Sequence, residues 1–323
     1  MPRIAVDARG GDRGPTEVVA GALEAAGGGL VPILYGAPEV DPRGLELRKT
    51  DGVIEMDDKP AEAVRGKPDS SLVSAVRAVA SGDADAVVSA GNTGAMLAAG
   101  LLELRRIPGV MRPAIAVPIP ARDGPTVLID AGANADARPE HLLQFATMGS
   151  VFAEEILGIS NPDVRLLSIG EEPEKGNQLT LEAHALLAAS DLNFGGNTEG
   201  RDLLAGAADV VVTDGFTGNV ALKLLEGTIT TLLDAFREEI AANTRGTVGG
   251  LLIRPAGRRL RKRLDPDTYG GAYLLGLRGL AVIAHGNSSH TAIATAIRLA
   301  GRGVEHDVVG RLAARLARPV EAV

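Results

Sequence analysis

Asp214, Thr217, Gly218 and Asn219 are residue types that bind and orient an anion. They lie in the run Asp209-Val-Val-Val-Thr-Asp-Gly-Phe-Thr-Gly-Asn-Val-Ala-Leu-Lys-Leu-Leu-Glu226. Three more runs share its polar, glycine-bent character: Asp7-Ala-Arg-Gly-Gly-Asp12, Ser89-Ala-Gly-Asn-Thr-Gly-Ala95 and Asp130-Ala-Gly-Ala-Asn134. Gly10 and Gly11 allow a backbone to approach a ligand closely, and Asp12 adds a carboxylate to the same bend. Asn92 and Thr93 are neutral donors before a helix, which suits an anion. Asp7, Asp130 and Asn134 complete the set. A plainer reading competes, in which Asn219 only caps a helix and Asp214 only closes a turn.

Two further runs carry chemistry. Lys175 stands in Gly170-Glu-Glu-Pro-Glu-Lys-Gly-Asn177, where a lysine supplies a point charge for phosphate or for a developing oxyanion. His285 and Ser288 stand in His285-Gly-Asn-Ser-Ser-His290. His285 at a strand end is a candidate substrate ligand, and a ring bonded to a loop carbonyl is the alternative.

These residues need strand-loop-helix units to hold them. Val210 to Val212 read as a buried parallel strand, with a helix opening over Val220 to Glu226. Strands are also expected at 4–8, 31–36, 53–57, 86–90, 114–120, 126–130, 164–169 and 280–284. Helices are expected from Thr16, over about 70–80, 95–104 and 179–189, from His290 to Leu299, and over 308–316. The loops after residues 8, 90, 130 and 213 then follow strand C-termini, and one sheet edge is expected to gather them.

Composition narrows the function. The chain has 323 residues, 45% of them hydrophobic, and no linker composition divides it, so a single α/β domain over 1–323 is expected. It has no cysteine, which excludes disulfides, thiolate metal sites and an acyl-cysteine intermediate. No signal peptide or membrane-length apolar run is present, so a cytosolic or peripheral location is expected. Net charge is −8, with 2% aromatic residues and no Trp, against nucleic-acid binding. Neither G-x-x-x-x-G-K-[ST] nor G-x-G-x-x-G occurs, no H-x-x-x-H suggests zinc, and no G-x-S-x-G marks a serine triad.

From about Gly227 the character changes. Ile229, Leu232, Leu233, Phe236 and Ile240 give one apolar helix face. The next segment, 245–257, reads as a poor core helix broken by its glycines and Pro255, yet Val248, Leu251, Leu252 and Ile253 are strongly apolar. Residues 245–263 hold seven basic and no acidic side chains, among them Arg254, Arg258, Arg259, Arg261, Lys262 and Arg263. Such a segment is either a solvated face or a device for anionic lipid or an acidic partner.

The ordered set of runs, with Gly270-Gly-Ala-Tyr-Leu-Leu-Gly276 added, resembles the bacterial phosphate acyltransferase family, acyl-(acyl carrier protein):phosphate acyltransferase, from residue 1 to about 300. The resemblance implies a three-layer α/β/α, Rossmann-like fold akin to isocitrate dehydrogenases and phosphotransacetylases, and a homodimer needing no cofactor. It implies transfer of a long acyl chain from acyl carrier protein to inorganic phosphate. The acyl phosphate then feeds a glycerol-3-phosphate acyltransferase of phospholipid synthesis. It places Lys175 and Asn219 at the reacting centre, and puts a protruding amphipathic helical pair, with its membrane tip and basic carrier-protein or lipid contacts, on 224–268. Two departures from the family pattern, Arg9 and Tyr273, bear on the pocket's shape. A phosphotransacetylase using acyl-CoA is the alternative in the same chemical class; an isocitrate-type dehydrogenase or a non-catalytic membrane scaffold lies outside it.

Overall fold

The computed structural model describes residues 1–264, 268 and 270–317. Tyr269 and part of the stretch that closes the 224–268 segment lie outside the described residues. The strands are β1 (Arg3–Asp7), β2 (Val31–Gly36), β3 (Glu46–Lys49), β4 (Ala86–Ser89), β5 (Ala114–Pro120), β6 (Pro125–Ile129), β7 (Val164–Leu167), β8 (Phe194–Thr198), β9 (Val210–Val212), β10 (Ala272–Leu275) and β11 (Leu280–Ile283). The helices are α1 (Pro15–Ala26), α2 (Pro60–Gly66), α3 (Ser71–Ser81), α4 (Thr93–Ala99), α5 (Pro139–Phe152), α6 (Gln178–Ala188), α7 (Gly215–Ala241), α8 (Thr244–Leu264), α9 (His290–Glu305) and α10 (Val308–Leu316).

One sheet runs in the order β3-β2-β1-β4-β11-β10-β5-β6-β9-β7-β8. Alternation along each strand sends side chains to opposite faces. Ile4, Val6, Val210 and Val212 join one core cluster with α1, α5, α6 and α9. Ala5 and Val211 join another with α3, α4 and the first turns of α7. This is the three-layer α/β/α arrangement. Val210, Val211 and Val212 are all buried, each worth about 1.5–3 kcal/mol relative to exposure.

The sheet is not parallel throughout. The strands from β3 to β11 run one way, and β6, β9, β7 and β8 run together. Between these halves β10 and β5 pair antiparallel with each other and with their outer neighbours. Three reversals make the halves point in opposite directions. The loops after β1 and β4 therefore leave one edge of the sheet and those after β6 and β9 the other, which overturns the expectation of a single gathering edge. Strand periodicity says nothing about the direction in which a strand is inserted.

Other boundaries shift for identifiable reasons. Residues 53–57 form no strand, because the Asn92 side-chain amide donates to the carbonyls of Glu55, Met56 and Asp58 and bends that backbone. The edge strand there is β3, Glu-Leu-Arg-Lys, instead. The segment 245–257 is not broken: α8 is continuous with Pro255 inside it. Gly246 and Gly250 serve contact with α7. A Cβ on Gly246 would come 2.3 Å from the Ile240 carbonyl oxygen, and one on Gly250 would lie 2.6 Å from the Ile240 side chain.

Candidate functional site

α7 opens at Gly215, a turn and a half before the sequence pattern places it. Its N-cap is Asp214, whose carboxylate accepts from the Thr217 N–H at 2.9 Å. Asn219 therefore falls inside the helix and caps nothing. Gly218 is required by close approach, since a Cβ there would stand 1.9 Å from the Asp130 carbonyl oxygen. The Gly215 N–H also donates to the Asn134 carbonyl at 2.8 Å. The start of α7 is thus pressed onto the 130–134 loop.

That loop is organised by Asp130, which has no exposed surface. One carboxylate oxygen accepts from the N–H groups of Ile115, Gly132 and Ala133, and the other from the Asn134 backbone and amide, at 2.8 to 3.1 Å. Burial pushes its pKa up, while these donors pull it down. Asp7 plays the same part on the other edge. It is buried, which raises its pKa, and it accepts from the N–H groups of Arg9 and Gly10 and from the Ser89 hydroxyl. Asn92 caps α4 through the Ala95 N–H at 3.0 Å. Asp7, Asn92, Asp130, Asn134 and Asp214, read from the sequence as substrate contacts, are engaged in hydrogen bonds within and between the loops that frame the site.

Gly10 and Gly11 lie in the same tight packing. A Cβ on Gly10 would meet Asp7, Ser89 and the Gly91 nitrogen, all within 3 Å. The Asp12 N–H reaches the Gly286 carbonyl at 2.7 Å, joining the β1 and β11 loops. Ser288 is buried, its N–H on the His285 carbonyl at 3.0 Å.

A cavity of about 370 Å³ lies over the antiparallel centre of the sheet. Ile115 and Val117 of β5 and Ala272 of β10 form an apolar floor. α4 contributes Thr93 from one half of the sheet, and α7 contributes Asn219 and Lys223 from the other. His285 stands at the rim. So the structure brings together Thr93, Asn219 and His285, although their loops leave opposite edges, because α7 crosses the face of the sheet.

Lys175 is exposed and is not part of this wall. Its loop leaves β7, the parallel neighbour of β9, so it emerges beside the loop that starts α7. Its backbone is pinned by Ser168, whose hydroxyl donates to the Lys175 carbonyl at 2.9 Å.

Two residues were missed by sequence reasoning. Lys223 lines the cavity, and its ammonium lies 2.8 Å from Glu226 Oε2. Glu226 Oε1 lies 3.3 Å from His285 Nε2. Asn219, Lys223 and Glu226 follow at i, i+4 and i+7, so starting the helix at Asp214 and projecting its face was the signal that finds them. Tyr273, a departure from the resembled pattern, stays out of the cavity. It is fully buried, lies edge-on to Phe152 at 5.1 Å, and its hydroxyl donates to the Leu299 carbonyl; burial raises its pKa. Arg9 is exposed on its loop. Among the described residues no three His, Asp or Glu side chains converge as metal ligands.

Away from the cavity, α8 has no buried residue. Val248, Leu251, Leu252 and Ile253 are exposed, Leu252 at 79%. Arg254, Arg258 and Arg261 border the groove between α7 and α8, and Arg259, Lys262 and Arg263 are exposed on the same helix. Among the described residues no helix is long and apolar enough to cross a membrane.

Comparison with known proteins agrees with this architecture. A family model described as "Fatty acid synthesis protein" matches residues 2–311. A phosphate acyltransferase of Heliobacterium modesticaldum is 46% identical over 99% of both chains. One from Desulfitobacterium hafniense is 48% identical over 98% of both. Among solved structures, a phosphotransacetylase from Streptococcus pyogenes superposes with a TM-score of 0.62 at 19% identity, covering 94% of each chain. A branched-chain phosphotransacylase from Enterococcus faecalis gives 0.60 at 17% identity, over 95% of this chain and all of that one. The structural likenesses speak for the fold, and the sequence matches, running nearly end to end, place the chain in the phosphate acyltransferase family.

Proposed function

We propose that the chain transfers a long-chain acyl group from acyl carrier protein to inorganic phosphate, and that the acyl phosphate is consumed by a glycerol-3-phosphate acyltransferase in phospholipid synthesis. The carrying observation is a cavity with an apolar floor under Asn219 and Lys223. Phosphate dianion is itself the nucleophile. It attacks the thioester carbonyl, the C–S bond breaks, and the phosphate proton ends on the thiol. Holding both reactants in line supplies roughly 7–11 kcal/mol of the barrier. The Asn219 amide, projecting from α7, is suited to donate to the oxyanion that develops on the carbonyl. Lys175, on the neighbouring loop, is the second group we assign to the reacting centre, as a charge for phosphate or oxyanion.

The test uses purified protein with palmitoyl carrier protein, following carrier-protein release and hydroxylamine-trapped acyl phosphate. Release that requires phosphate and yields trapped product supports the reading. Turnover with palmitoyl-CoA alone moves it to a phosphotransacetylase-type reaction, the second reading favoured by the fold likeness. Family membership sets the isocitrate-type dehydrogenase aside.

We assign the distal part of α7 and α8, within 224–268, to the surroundings of the enzyme: a homodimer contact, an anionic membrane surface at the apolar tip, and an acidic carrier protein along the basic face. The exposure of Leu251 and Leu252 supports this. Leu251→Glu with Leu252→Glu abolishes sedimentation with anionic liposomes and leaves turnover of soluble substrate intact, because neither residue contacts the cavity. Unchanged sedimentation rules out the tip as an anchor.

A further inference from the structure

Glu226 occupies a position that direct attack by phosphate leaves unused. It lies two turns along α7 from Asn219, on the same side, and stands between Lys223 Nζ at 2.8 Å and His285 Nε2 at 3.3 Å. Its side chain is 20% exposed, and Oε1 is fully buried without an aligned hydrogen bond, the imidazole approaching at ion-pair distance only. An unpartnered buried carboxylate oxygen is costly, and an imidazole N–H turned slightly toward it would satisfy it. α7 follows β9 in one half of the sheet, whereas His285 follows β11 in the other, so this contact spans the mouth of the cavity.

The reaction proposed above contains a proton that must travel. Phosphate dianion plus thioester gives acyl phosphate dianion plus thiol, so one proton leaves the phosphate oxygen and one arrives at sulfur. We propose that His285 carries that proton, with Glu226 as the positioning residue that holds the imidazole and Lys223 as the cation that holds the acceptor phosphate. As the P–O–C bond forms, His285 takes the phosphate proton; as the C–S bond breaks, it returns the proton to sulfur. Imidazole can both accept and donate a proton, and Glu226 Oε1, 3.3 Å from Nε2, fixes the orientation of the ring. The inference rests on the acyl-transfer reading. It also distributes charge sensibly: Lys223 faces the cavity, and Glu226 neutralises it only from one side.

The experiment compares two donors with the full-length protein: palmitoyl carrier protein, whose alkyl thiol leaves poorly unless protonated, and S-phenyl thiopalmitate, whose aryl thiolate leaves without a proton. His285→Ala is expected to lose about 100- to 10,000-fold in kcat with palmitoyl carrier protein, the usual range for general acid–base catalysis, and no more than a few-fold with the phenyl thioester. Glu226→Gln shows the same donor dependence at smaller size. Lys223→Met raises the KM for phosphate with both donors alike. Equal losses with both donors for His285→Ala overturn the proposal, because a strut between the two halves of the sheet affects every donor. If that variant does not fold, His285→Gln decides on the same pair of donors. A wild-type chain that uses neither donor with phosphate, nor palmitoyl-CoA, overturns the acyl-transfer reading itself and this inference with it.

Discussion

Asn219→Ala lowers kcat about 100- to 1,000-fold with palmitoyl carrier protein and phosphate, equivalent to about 2.7–4 kcal/mol of transition-state stabilisation, while the thermal midpoint holds or rises slightly. The asymmetry follows from where the residue sits. Asn219 is on the second turn of α7, past the cap that Asp214 provides, and its side chain lines the cavity. Alanine is the better helix former there by a few tenths of a kcal/mol, so removal of the amide does not loosen the helix. A large fall in turnover without a fall in stability is the signature of a donor used in the transition state. Lys175→Met, measured in parallel, is expected to lose turnover to a similar extent. Should it lose only a few-fold, Lys175 leaves the reacting centre, and Lys223, which lines the cavity in this chain, is the cation that remains.

The strand-loop-helix units were legible because their strands are buried on both faces. Val210-Val-Val212 and Ala86-Val-Val-Ser89 are buried throughout and lack polar alternation, and glycine, Asn or Asp follows each within a few residues. The edge strands β3 and β8 were not, since Glu-Leu-Arg-Lys and Phe-Gly-Gly-Asn-Thr take strand conformation from a neighbour and carry little propensity of their own. The polar loop residues stand out in the sequence as a set, yet a carboxylate that binds substrate and one that ties a loop look alike there. Only burial separates Asp130, wholly enclosed, from Asn219, open to the cavity. The continuous α8 defied its glycines and proline for a tertiary reason: Gly246 and Gly250 are the surface on which the end of α7 rests. Lys223 and Glu226 were hidden by the misplaced start of α7, which left their face unassigned.

Asp130→Ala is expected to destabilise the fold by on the order of 4 kcal/mol, read as a lower urea midpoint with an unchanged slope. It strips the acceptor from the N–H groups of Ile115, Gly132, Ala133 and Asn134 at once, and the site is too enclosed for water to replace it freely. A substrate ligand behaves differently: its loss raises the KM for phosphate and leaves the urea midpoint where it was. Asp130→Asn separates the two cases further. It keeps one carbonyl acceptor but introduces an amide where Asn134 already donates, so it costs less stability than alanine and still moves the 130–134 loop. Because Gly215 and Gly218 pack directly on that loop, the displacement passes to the first turns of α7 and reaches Asn219. The folded Asp130→Asn protein should therefore show a reduced kcat, although residue 130 is wholly enclosed.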